Sequence, residues 1–172
     1  MDQDRYKAAV DRTAAKLRYS AIHLDNLRAV EKKGDDFERS YQESFLFHLH
    51  GVRDAFLQEI NIKYNCDLPI EKVKMQSLKR KISQMGLISV ALDKLNEIES
   101  DENSWLSHLN EMRNHSAHRH TIPRLHHMGG ENHGKIHLAN TKNGEFISED
   151  YFTLFGQWQS NMSELITQLR NL

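Results

Sequence analysis

The chain has 172 residues and a formal net charge of −1, and 38% of its residues are hydrophobic and 27% charged. This length and composition predict one folded domain, and the absence of an apolar run approaching ~20 residues excludes a membrane-spanning protein. The single cysteine, Cys66, excludes an internal disulfide framework, and residues 1–5 do not open a secretory signal, so we expect a cytoplasmic protein.

Two long helices are predicted first. Residues 2–33 and 37–64 each contain a series of mostly apolar residues that recur at steps of about three and four. This is the period of one helical face, and each series is called a stripe here. Gly34 ends the first helix, and Asp35 and Asp36 can cap the second. Residues 45–47 widen the second stripe, as expected for a helix with neighbours on two sides. The stripes are Tyr6, Val10, Thr13, Leu17, Ser20, Leu24 and Leu27 in the first helix, and Phe37, Tyr41, Phe45, Leu49, Val52, Phe56 and Ile60 in the second.

Three shorter helices are predicted in the middle of the chain. Pro69 lies in the first turn of a third helix, which Gly86 ends. A fourth helix covers residues 87–99, with Ile88 on its apolar face. A fifth begins near Trp105, and its helical pattern fails after about Arg119.

An insertion of about 30 residues, 121–147, separates the fifth helix from the last one. Residues 135–138 and 145–147 flank Asn143-Gly144, which predicts a small β-hairpin. Residues 148–150 start the last helix, whose inward face is Phe152, Phe155, Trp158, Met162, Leu165, Ile166 and Leu169. The predicted fold class is all-α: one domain, 1–172, built as an up-and-down bundle of about five to six helices with a His-rich insertion before the last.

Histidine is the clearest anomaly of the composition, because eight of the eleven histidines fall within residues 108–137. In that stretch Arg113 is followed directly by Asn114, and His118 lies five residues after the arginine. Residues 112–130 include three arginines and five histidines and no acidic residue. The most basic part of the chain therefore coincides with the end of the fifth helix.

One arginine and one histidine are the minimum set for cleaving RNA without a metal ion. Arg113 can hold a phosphate through two N–H bonds and stabilise the charge that builds on phosphorus. His118 can take the proton of the 2′-hydroxyl or give one to the leaving 5′-oxygen. Residues five apart on a helix point about 140° from each other, so the pair converges only if the helix ends there or the arginine reaches round. Asn114 and His118, four apart, share a face and can form a hydrogen bond.

The Arg-Asn-x-x-x-His segment, late in a small helical bundle, resembles the Arg-x4-6-His signature of the HEPN superfamily. The resemblance implies a metal-independent endoribonuclease of a toxin–antitoxin or anti-phage system, with no cofactor and with 2′,3′-cyclic phosphate and 5′-hydroxyl products. It implies that Arg113 and His118 are catalytic and that Asn114 orients the site. The implied partners are RNA, a second copy of the chain and an antitoxin protein.

Four neighbours of the motif are candidate substrate-binding residues: Glu111, His115, Arg119 and His120. A single histidine cannot readily be both the base and the acid of one cleavage, so we expect two subunits to share the cleft. The Arg-x4-6-His spacing alone has two other matches, Arg18/His23 and Arg119/His126, which lack the following asparagine.

Other interpretations stay open. A HEPN-like bundle can be a catalytically silent module that binds a protein or a nucleotide. The histidines of the insertion can hold a metal ion, although no carboxylate forms a recognisable metal-binding pattern with them. A second basic run, Lys72, Lys74, Lys79, Arg80 and Lys81, is either a solvated helix face or a contact for nucleic acid or for an acidic antitoxin.

Overall fold

The structure is a computed structural model that describes residues 2–31, 34–117, 122–140 and 143–172. The described residues form six α-helices and one two-stranded sheet, and this confirms the predicted all-α class. A short 3-10 helix, Ile70–Lys72, precedes the third α-helix. The elements in chain order are α1 (Gln3–Ala29), α2 (Asp36–Lys63), α3 (Met75–Gln84), α4 (Val90–Ser100), α5 (Trp105–Ala117), β1 (Arg124–His126), β2 (Ile136–Leu138) and α6 (Tyr151–Arg170).

Helices α1 and α2 pack extensively against each other. The predicted cap of α2 is confirmed, since the Asp35 carboxylate accepts a hydrogen bond from the Glu38 N–H at 2.9 Å. Gly34 has a φ of +86°, which a side chain would disfavour, so a glycine suits this turn. Phe37, predicted in the stripe of α2, is instead 70% exposed in the first turn.

The core lies where α2, α4, α5 and α6 turn their apolar faces toward one another. Phe45 of α2 stacks on Phe155 of α6 with ring centroids 4.7 Å apart. Leu106 and Leu109 of α5 are fully buried, so the helix that carries the Arg-Asn motif is fixed from its inner side. Each such side chain contributes about 1.5–3 kcal/mol by leaving water.

The predicted start of the third helix at Pro69 is wrong, because α3 begins at Met75. Asn61 explains the difference: its side chain accepts a hydrogen bond from the Leu68 N–H and donates one to the Leu68 carbonyl. These two bonds hold the chain before Pro69 in an irregular path. Ile70, which follows Pro69, is 81% exposed.

The predicted small hairpin is confirmed, but residues 136–138 pair mainly with β1 and not with residues 145–147. Strand β2 pairs antiparallel with β1, so that Leu125 lies opposite His137. The predicted partner, residues 145–147, adds one bridge between Ala139 and Phe146. Strand β1 is only three residues long, too short to show an alternating pattern in the sequence.

The last helix begins as predicted, since Asp150 caps α6 by accepting a hydrogen bond from the Phe152 N–H. Trp158, Met162 and Ile166 are buried along its inner face. Within the residues described, none of the helices has both the length and the apolar character needed to cross a bilayer.

Candidate functional site

Arg113 lies near the end of α5, which the structure describes as far as Ala117. The Arg113 side chain is half-buried, and its Nη1 donates a hydrogen bond to Oδ1 of the exposed Asn114 at 3.0 Å. Asn114 therefore holds the guanidinium of Arg113 through this hydrogen bond.

The other candidate residues fall into two groups. His118, Arg119 and His120 lie outside the described residues. Glu111 and His115 are half-buried on α5. Each is two residues from Arg113, and residues two apart on a helix point about 200° from each other. Arg113 therefore faces a different side of α5 from these two neighbours.

Arg113 lines a cleft between α2 and α5 with a volume of about 280 Å³, called here the inner cleft. Ala117, the residue that precedes His118, also lines it. The residues around the inner cleft are Glu43, Ser44, Leu46, Phe47 and His48 of α2, and Arg113, Ser116 and Ala117 of α5. The last described turn of α5 thus forms one wall of the cleft.

A larger groove of about 880 Å³, the outer groove, shares Phe47 and Arg113 with the inner cleft. Its basic lining side chains are Arg12, Lys16, Arg53, Lys74 and Arg113. Among the described residues that line the groove, Asp54 is the one carboxylate, and it accepts a hydrogen bond from Arg53 at 2.8 Å. The outer groove therefore offers an anion a positively charged wall.

Arg53 also connects the groove to the helices behind it. Its Nη2 donates to Glu99 at 2.8 Å, and the Asn110 side chain donates to the other oxygen of Glu99 at 3.1 Å. Burial would raise the pKa of Asp54, but its contacts with His50 and Arg53 outweigh burial and lower the pKa to about 2. The network joins α2, α4 and α5, and so fixes the helix of Arg113 relative to the groove.

His48 is the centre of a cluster beside the inner cleft. Lys16 Nζ lies 3.4 Å from His48 Nδ1, and the His23 ring stacks on the His48 ring with centroids 5.2 Å apart. Tyr19 and Phe47 contact the same ring edge-on. Burial, followed by the charges of neighbouring basic side chains, lowers the pKa of His48 below its usual range.

The sequence does not single out His48, because the adjacent residues 45–47 predict a wide apolar stripe that faces the core. Phe45 and Leu46 are fully buried, whereas Phe47 is 53% exposed and Lys16 Nζ lies 4.8 Å above its ring. A signal was present on α1, where Arg12, Lys16, Tyr19 and His23 follow one another at helical spacing.

Two histidines of the insertion, His127 and His137, make contacts within the fold. His137 is buried, with its Nδ1 2.9 Å from the Ile147 carbonyl, and its ring lies edge-on to the His127 ring. In the described ranges, no three His, Cys, Asp or Glu side chains are grouped so that they could hold a metal ion. In the second basic run, Lys79 pairs with Asp93, whereas Lys74 lines the outer groove.

No family model, curated protein or solved structure matches this chain. The half-buried Arg113 and the exposed ring of Phe47 line both the inner cleft and the outer groove, and His48 lines the inner cleft. That combination can bind a phosphate, and it can accommodate a base on the aromatic ring.

Proposed function

We propose that the protein is a metal-independent endoribonuclease of the HEPN type. The observation that supports this most is the inner cleft, because Arg113 and the residue before His118 both line it. The outer groove, with its five basic side chains, adds a path for the phosphates that flank the scissile one. Phe47 lines both the inner cleft and the outer groove, and its exposed ring is available for stacking with a base.

In this mechanism the RNA supplies its own nucleophile. The 2′-oxygen attacks the adjacent phosphorus as its proton leaves, and the bond from phosphorus to the 5′-oxygen breaks as that oxygen gains a proton. Arg113 stabilises the additional negative charge on the phosphate oxygens. His118 carries the proton-transfer role, and Asn114 holds the arginine. The products are a 2′,3′-cyclic phosphate and a 5′-hydroxyl.

The resemblance to HEPN proteins also supports a cellular role and partners. We propose a homodimer that acts in the cytoplasm, in a toxin–antitoxin or anti-phage system, with an antitoxin protein as its inhibitor. The basic wall of the outer groove is a suitable surface for an acidic antitoxin as well as for RNA.

The test is RNA cleavage in excess EDTA by the wild type, Arg113→Ala and His118→Ala. We expect the wild type to leave cyclic-phosphate ends and each variant to be slower by at least about a hundredfold. Arg39→Ala and His133→Ala are matched controls, since both residues are exposed and line neither the inner cleft nor the outer groove, and both variants should keep wild-type rates.

Equal cleavage by all five proteins would overturn the assignment, because it would place the activity elsewhere or in a contaminant. A wild type that binds RNA in the same assay without cutting it would indicate the catalytically silent binding module instead.

A further inference from the structure

His48 and Arg113 line the inner cleft from opposite helices. We propose that His48 is a second phosphate-binding residue of this cleft, a neutral imidazole that donates its Nε2–H to a phosphate oxygen of RNA held by Arg113. This inference rests on the proposed function, because it takes RNA as the ligand of the cleft.

The contact with Lys16 determines which nitrogen of His48 carries the proton. Lys16 Nζ is 3.4 Å from His48 Nδ1, and an ammonium group has donors only. Nδ1 must therefore accept, which in a neutral imidazole leaves the proton on Nε2. Nε2–H is then the donor that the ring has left for a ligand.

The surroundings of His48 keep the imidazole neutral and hold its orientation. Arg12, Lys16 and His23 face it from α1, Arg113 lies across the cleft on α5, and Glu43 is nearby on α2. Protonation of Nδ1 would place an N–H against the Lys16 ammonium, in a partly buried setting. The pKa of His48 is lowered accordingly, by burial first and then by the charges of Lys16, His23 and Arg12. The parallel stack with His23, at 8° between ring planes, holds the ring in place.

A neutral donor has a different role from a proton-transfer group. With Nε2 already protonated, His48 can stabilise charge on a phosphate oxygen, but it cannot accept the 2′-hydroxyl proton at that atom. His48 thus adds to the work of Arg113 and leaves proton transfer to His118. A glutamine at position 48 should preserve the donor role, because its amide nitrogen can replace Nε2–H.

The experiment measures binding of an uncleavable 2′-O-methyl oligoribonucleotide to the wild type, His48→Ala and His48→Gln. We expect His48→Ala to bind about tenfold or more weakly, the usual effect of losing a hydrogen bond to a charged group, and His48→Gln to regain most of the affinity. His126→Gln, at an exposed histidine, is the matched control and should bind like the wild type. Circular dichroism of each variant verifies that it is folded.

A second measurement reads the tautomer directly. Long-range proton–nitrogen NMR spectra of the wild type should show the His48 proton on Nε2, and titration with the oligoribonucleotide should shift that resonance. A proton on Nδ1, equal affinity in all four proteins, no binding of the probe by the wild type, or equal losses in the alanine and glutamine variants would each overturn the inference.

The two proposals fail separately. If the wild type never cleaves RNA but binds the probe through His48 as expected, the ribonuclease assignment fails and the role of His48 stands. If EDTA-resistant cleavage depends on Arg113 and His118, but the wild type and both His48 variants bind the probe equally, the role of His48 fails and the ribonuclease assignment stands.

Discussion

Glu38 shows how a single buried carboxylate attaches the insertion to the bundle. Its side chain is fully buried, and it accepts hydrogen bonds from the Tyr151 hydroxyl, from the Gly34 N–H and from Arg124 Nη1. Burial alone would raise the pKa of Glu38, but these donors outweigh it and lower the pKa below the usual value. Tyr151 is fully buried and the Arg124 side chain is 9% exposed, so each of these groups depends on the others for its partner.

Replacing Glu38 by glutamine should destabilise the protein strongly. The variant leaves the Arg124 guanidinium buried without a counter-charge, and breaking a buried pair from one side costs about 3–5 kcal/mol. Urea denaturation followed by circular dichroism measures the free energy of unfolding. Glu71→Gln, at an exposed glutamate, is the control and should change it by less than about 0.5 kcal/mol.

The Glu38→Gln variant also tests how the free energy of unfolding depends on pH. Because the folded-state pKa of Glu38 is lowered, its contribution is fully present above the ordinary glutamate pKa and is lost as the pH falls through the folded-state value. The wild type should therefore lose stability on acidification more steeply than Glu38→Gln. Parallel pH curves for the two proteins, or a small loss in the variant at neutral pH, would contradict the assigned role.

At the scale of the elements, Asp150 serves a helix and a strand at once. Its Oδ2 accepts a hydrogen bond from the Phe152 N–H at the start of α6, and its Oδ1 accepts one from the Ile136 N–H at 3.0 Å. Ile136 is buried at the first position of β2. The cap thus also fixes the hairpin to the last helix.

Asp150→Ala should lower the free energy of unfolding by about 2–4 kcal/mol, because it removes a helix cap and leaves the buried Ile136 N–H without this partner. Asp2→Ala is the matched control: Asp2 caps α1 through the Arg5 N–H at an exposed end, so its loss should cost about 1 kcal/mol or less. Thermal denaturation measures both. Faster hydrogen exchange at the Ile136 amide should accompany the first substitution, and equal costs in the two variants would show that the bond to Ile136 adds nothing.

The elements that could be predicted from the sequence are those whose signals are local. The caps at Asp35 and Asp150 and the breaks at Gly34 and Gly86 are such signals, and the structure confirms them. The start of α3 depends on the Asn61 side chain, and the pairing of β1 with β2 joins distant residues. Neither has a periodic pattern that reveals it.

For the whole molecule, the inner cleft exists because α2 and α5 lie side by side, and the outer groove because α1 and α3 flank α2. The sequence pointed to Arg113 through the local Arg-Asn motif. It could not point to His48, whose significance comes from Lys16 and His23 on the facing helix. A site assembled across helices becomes visible only when their pairing is known.

The oligomeric state of the whole molecule can be predicted from the roles proposed for His48 and His118. If His48 is a neutral donor, His118 is the proton-transfer histidine of each chain, and one such residue cannot readily be base and acid in the same cleavage. We therefore expect a homodimer in which both copies of His118 serve a common cleft.

Subunit mixing tests this. A fixed amount of wild type is incubated with increasing His118→Ala protein, and cleavage is measured before and after the subunits exchange. Random pairing at equal amounts leaves roughly half of the wild-type chains in mixed dimers, so activity should fall to about half and continue toward zero as the variant is added. Energy transfer between labelled chains reports the exchange independently. Constant activity after complete exchange would show that each chain cleaves alone, and a single-chain molar mass in light scattering would contradict the dimer itself.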